Sequence, residues 1–169
     1  KFLKLLRKEQ LKLKNNQKIN PTIYLDNDLP TNNIVNVYYR VRTKKHNWLP
    51  EVKNLEDFAG YENSAIVGLA MKVDKGAIKY RVHIKGGKWL GWITKYNLND
   101  FHYGYAGDNK PIDAVEVYYS TPNDIRPYKR AKYKVNNYSW QYDNEKTKGQ
   151  DGYAGAFGVV ATKFQIVIE

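Results

Sequence analysis

Three histidines, His46, His83 and His102, are the side chains best suited to proton transfer or zinc ligation in this chain. Their spacing matches neither HExxH nor a related zinc pattern. With no cysteine, the chain has no disulfide, thiolate metal site or cysteine nucleophile. A G-x-S-x-G elbow is absent. Gly86-Gly87-Lys88 lacks the long frame of a phosphate-binding loop. Glu56 and Asp57 are adjacent, so on a strand or loop their carboxyls point apart, whereas a glycosidase pair must face one substrate. No catalytic residue, metal or cofactor is expected. What the chain holds in quantity is 15 Tyr, 4 Trp and 28 Lys plus Arg. Aromatic rings stack on sugar faces, and Lys or Arg pair with phosphate. The candidates for such binding are Trp92, Tyr96, Tyr103, Tyr105, Tyr142 and Tyr153, with His46, Lys88 and Lys148 near them in sequence.

The elements that position these rings form a threefold internal repeat. Each copy opens Tyr-basic-Val: Tyr39-Arg40-Val41, Tyr80-Arg81-Val82 and Tyr133-Lys134-Val135. A Trp follows in each, Trp48, Trp89 and Trp140, and then an Ala-Gly step ending in Gly60, Gly107 and Gly155. The copies close on alternating runs around Met71-Lys72-Val73, Val115-Glu116-Val117 and Phe164-Gln165-Ile166. Apolar–polar alternation predicts half-buried strands. Ala-Gly marks a bend at which a side chain would clash and φ is positive. A recurring aromatic is read as core, so Tyr39, Tyr80 and Tyr133, Trp48, Trp89 and Trp140 are expected to organise the interior. Asp74-Lys75-Gly76 reads as a turn pairing the end of the first copy with the start of the second. One copy cannot bury its own apolar face and three can. The predicted fold is all-β, a three-repeat pseudo-threefold module of β-trefoil or β-prism type.

The repeats occupy about 35–75, 77–119 and 130–169, within one β-domain at 34–169. Residues 1–14 have no Gly or Pro, and Phe2, Leu5, Leu6 and Leu13 share one helical face. They read as an amphipathic helix able to support a homodimer, and 15–33, rich in Asn, Asp and Pro, as a linker. The net charge is +11, and more than half of it lies between Lys1 and Lys18, where seven basic residues meet only Glu9. A nucleic-acid-binding domain would concentrate that charge on its folded part. No run of apolar residues is long enough for a membrane span, and no signal peptide is visible. The chain starts at Lys1 and its single Met is Met71, so it reads as a fragment of something longer.

Tyr80-Arg81-Val82-His83, Gly87-x-Trp89, Gly104-Tyr105-Ala106-Gly107 and Ile112-Asp113-Ala114-Val115-Glu116-Val117 resemble the clostridial hydrophobic-W repeat. From about Val35 to Glu169 the chain is similar to the C-terminal cell-wall-binding region of clostridial phage endolysins and autolysins. The first copy departs in having Asp57-Phe58 before Ala-Gly, and the third in having Ser139 before Trp140. The resemblance implies a non-catalytic module that directs a peptidoglycan hydrolase, an amidase or muramidase lying N-terminal to it, to a Gram-positive wall. Its partner would be peptidoglycan or a teichoic-type wall polysaccharide. It would be made in the host cytoplasm and act at the wall after release. Two alternatives stay open: a lectin-like receptor-binding module of a toxin or surface protein, and a nucleic-acid-binding β-barrel using Tyr stacking with Lys and Arg.

Overall fold

The computed structural model describes residues 33–143 and 152–169. Contacts divide the chain into two units, Lys1–Ile34 and Val35–Glu169. The expected helix at 1–14, nearly all of the 15–33 linker, the dimer through that helix and Lys148 lie outside the described residues. The second unit is all-β.

The first copy contributes β1 (Val37–Thr43), β2 (Asn47–Trp48), β3 (Val52–Lys53), β4 (Ala59–Gly60) and β5 (Ile66–Val73). The second contributes β6 (Ala77–Ile84), β7 (Ala106–Gly107) and β8 (Ile112–Ser120). The third contributes β9 (Ala131–Val135), β10 (Gln141–Tyr142), β11 (Ala154–Gly155) and β12 (Lys163–Ile168). Within each copy the opening strand pairs antiparallel with the closing one: β1 with β5, β6 with β8, β9 with β12. Strict alternation of buried and half-buried residues in β1 and β9 follows the apolar–polar sequence alternation.

The short Ala-Gly strands leave their own copies. β7 pairs with β5 of the first copy, β11 with β8 of the second, and β4 with β12 of the third. Every sheet is therefore completed by a neighbouring copy, and the circuit returns from the third to the first. Glycine is required at this step. Gly107 has φ +145°, and a Cβ there would overlap the carbonyl oxygen of Val67. Gly60 and Gly155 repeat the arrangement against Thr162 and Asp113.

β5 and β6 meet at the Asp74–Gly76 turn but do not pair with each other, contrary to the expected hairpin. β5 already bonds β1 on one edge and β7 on the other. β6 therefore pairs with β8, eight registered residue pairs long.

The core takes the three tyrosines of Tyr-basic-Val. Tyr39, Tyr80 and Tyr133 are fully buried, opposite Met71, Val117 and Ile166. Each hydroxyl donates to a backbone carbonyl in the loop that leads to the Ala-Gly step. Tyr39 donates to Asn54 at 2.6 Å, Tyr80 to Lys95 and Tyr133 to Gly152. A buried phenol without such a partner would be costly, so these bonds tie three irregular loops to three strands. Tyr39 also meets Phe164 edge-on at 5.7 Å, joining the first copy to the third.

Trp48, Trp89 and Trp140 are not core residues as expected; all three are half-buried on the outer face. The cause is strand phase. Leu49 and Leu90 donate to the Val41 and Val82 carbonyls at 3.0 Å, and Gln141 registers with Tyr133. Since the residue after each Trp takes the inward position, the period of two turns the Trp outward.

Candidate functional site

Because Tyr and Val of Tyr-basic-Val point inward, the basic residue between them must point outward, onto the face that carries the tryptophans. In the second copy the Arg81 guanidinium lies 4.5 Å from the Trp89 ring centre and 4.7 Å from that of Trp92. It is held there by Glu116, whose Oε2 accepts from Arg81 at 2.7 and 3.1 Å. Two residues upstream, and so on the same face, Lys79 sits 4.6 Å from Trp92 and 5.2 Å from Tyr118. Among the described residues no carboxylate pairs with Lys79.

The third copy repeats this with other side chains. Lys132 and Lys134 lie 5.2 and 4.8 Å from Trp140, and Arg130 lies 4.7 Å from Tyr142, whose hydroxyl donates to Glu169 at 2.9 Å. In the first copy Lys72 lies 5.8 Å from Tyr38 and 4.8 Å from Tyr96. Each copy thus presents ammonium or guanidinium groups held against aromatic faces. Such pairs attract through the ring quadrupole and restrain the cation.

Where one copy meets the next, a second aromatic arrangement forms. Trp48 packs edge-on against Tyr105 at 4.9 Å, and the Tyr105 hydroxyl accepts from Arg42 at 3.3 Å. At the corresponding place Trp89 approaches Tyr153 at 5.8 Å, Tyr153 stacks on Phe157 at 4.8 Å, and Phe157 stacks on His83 at 4.1 Å. His83 Nδ1 bonds Asp113 Oδ1 at 2.6 Å, and the other Asp113 oxygen accepts from the Gly158 amide at 2.8 Å. A His–Asp pair of this kind orients the base of a catalytic triad. Here the ring is 9% exposed, lies against Phe157 and meets the edge of Trp89. The pair closes a junction between the second and third copies.

The predicted binding residues fall into distinct surroundings. Trp92 and Tyr142 lie in the cation–aromatic arrays described above. Tyr96 joins the array of the first copy and donates to Glu51 at 2.8 Å. Burial first, and then the Glu51 carboxylate, push its hydroxyl above the usual tyrosine range. Tyr105 is 3% exposed and half-buried Tyr153 is stacked, so both act at the junctions between copies. Tyr103 is 70% exposed at the rim of a cleft of about 400 Å³ that Trp92, Phe101 and His102 also line. His46 is exposed and packs on Tyr61 at 4.2 Å. Lys88 is exposed in the turn after β6.

Sequence reasoning missed Lys79, Arg81, Tyr118, Lys132 and Lys134. The signal lay in the phase: once Tyr and Val of each opening strand are assigned inward, the alternate residues Lys79-x-Arg81 and Lys132-x-Lys134 must share the outer face. No family model matches the chain, and neither a curated protein nor a solved structure matches it.

Proposed function

We propose that this chain is a non-catalytic binding module for an anionic polysaccharide of the Gram-positive cell wall, of the clostridial hydrophobic-W type, serving to hold a peptidoglycan hydrolase at its substrate. In this reading the three copies surround a pseudo-threefold axis in a β-trefoil or β-prism arrangement, and the closed circuit of Ala-Gly pairings supports that symmetry. Residues 1–14 would form an amphipathic helix that links the module to its enzyme or to a second copy.

The observation that carries the proposal is the outward cation–aromatic array on each copy, built from Trp, Tyr, Lys and Arg on the second and third copies and from Lys72 with Tyr38 and Tyr96 on the first. A sugar ring offers C–H faces to the aromatics, and wall phosphates offer charge to the cations. Nucleic acid would use similar groups, but its charge density calls for a continuous basic surface, whereas here Glu116 and Glu169 sit inside the arrays.

The test is retention of the tagged chain by purified clostridial walls, Gram-negative envelopes and DNA-cellulose over a range of salt. Retention by clostridial walls alone, weakened by salt but not abolished, is expected, because screening reduces the ionic part while stacking persists. Retention on DNA with a steep salt slope and none on walls would overturn the reading. Binding to discrete host glycans on an array, without wall binding, would indicate the lectin-like alternative. Wall lysis by the chain alone would contradict the non-catalytic assignment.

A further inference from the structure

An open groove of about 390 Å³ runs between the outer faces of β5 and β6 on either side of the Asp74–Gly76 turn. Its size lies in the range of small-ligand sites. None of the aromatics chosen from the sequence points to it except Tyr96. Its walls combine the groups that a charged sugar requires. Lys72 and Lys79 line it together with the rings of Tyr96 and Tyr118 and the hydroxyl-bearing side chains of Thr94 and Ser120.

The two lysines differ. Lys72 lies 4.0 Å from Glu51, so its charge is partly compensated. Lys79 is exposed, has no carboxylate partner among the described residues, and is set against two rings, Trp92 at 4.6 Å and Tyr118 at 5.2 Å. An ammonium restrained in this way loses less side-chain freedom on meeting an anion than a free surface lysine does. A phosphate ester presents several acceptor oxygens to such a cation. The adjoining tyrosine rings and hydroxyls suit the sugar or polyol that carries it.

We propose that this groove binds a phosphorylated sugar or polyol unit, with its phosphate on Lys79 and its carbon skeleton along Tyr118 and Tyr96. The proposal deepens the wall-polymer reading and rests on it for its biological ligand. The site itself can be tested separately.

The experiment titrates the full chain with α-D-glucose 1-phosphate, methyl α-D-glucoside and inorganic phosphate, following the backbone amides of Gly76 and Ala77 and the Trp92 indole by NMR. Glucose 1-phosphate should bind at least tenfold more tightly than either partial ligand. Lys79→Met keeps the aliphatic stem and should lose at least tenfold of that affinity. Lys79→Arg should keep it within about threefold, and Lys85→Met, on the turn beyond β6, should leave it unchanged. Equal binding of methyl glucoside, equal binding of inorganic phosphate, or full affinity in Lys79→Met would each overturn the site. Equal wall retention of the wild type and Lys79→Met would overturn the groove while leaving wall binding intact. Absent wall retention with Lys79-dependent glucose 1-phosphate binding would support the groove and remove the wall reading.

Discussion

The tyrosine seam inside the β-unit and the tryptophan face outside it recur equally often, three times each, and do opposite work. Tyr39, Tyr80 and Tyr133 have no exposed surface, and each secures a loop through its hydroxyl. Trp48, Trp89 and Trp140 are half-buried: Trp48 meets Tyr105 of the next copy, Trp89 meets both Arg81 and Tyr153 of the next copy, and Trp140 meets Lys132 and Lys134. Recurrence marks a position that the repeat needs; it does not say on which side of the sheet that position lies. The difference also separates two kinds of energy. The seam rests on burial with satisfied hydrogen bonds, and the outer face on weaker cation–aromatic and edge contacts.

The strongest way to break this comparison is to empty the seam. Tyr80→Ala should cost about 3–5 kcal/mol, the range for a large buried side chain. That is a sizeable part of a typical domain's stability, and urea denaturation would measure it. A loss no larger than that of Trp89→Ala would remove the distinction. Next, Gly107→Ala should cost about 2–3 kcal/mol, through a strained φ and overlap with Val67. Its melting curve should drop further than that of a control such as Gly91→Ala, where an added Cβ meets nothing.

Alkali should act on the seam and spare the outer tryptophans. Burial raises the hydroxyls of Tyr39, Tyr80 and Tyr133 above the value of 10.0 that they take when exposed. These groups are neutral when protonated, so unfolding above pH 10 releases protons. Stability is full below that point and falls as pH rises toward the folded values, by up to about 1.4 kcal/mol per pH unit for each buried tyrosine. Tyr119, pushed up to about 12 by burial and then by Asp74 and Asp124, adds to the same trend. Melting temperature against pH should show this fall, and it should be shallower in Tyr80→Phe. An unchanged slope in that variant would count against the buried-phenol account.

Trp89→Ala should cost only about 1–2 kcal/mol and leave a cooperative melt, since it removes a half-buried ring and the Arg81 contact. A loss above 4 kcal/mol would restore Trp89 to the core role suggested by its recurrence. The smallest effect on folding belongs to Trp92→Ala, about 0.5–1 kcal/mol. Its effect on wall retention should be the larger one, and unchanged retention would show that the outer face is not the binding surface.

Alternation of apolar and polar residues was enough to specify strands here, because a half-buried strand repeats every two residues whatever its partner. The Ala-Gly step was likewise legible, since only Gly accepts a positive φ where another backbone lies in contact. Tyr-basic-Val, a following Trp and Ala-Gly each occur three times in one order, and that much can be read from the sequence. Tertiary structure alone decided which phase of each strand faced inward beyond the tyrosines, and so turned the tryptophans out. It also decided that β7, β11 and β4 pair outside their own copies and that β6 pairs with β8 instead of β5. It set Lys72 and Lys79 on one groove from two different strands. Each of these depends on contacts between residues distant in sequence. A local pattern of period two allows either face and either partner, and burial across the assembled sheets removes that freedom.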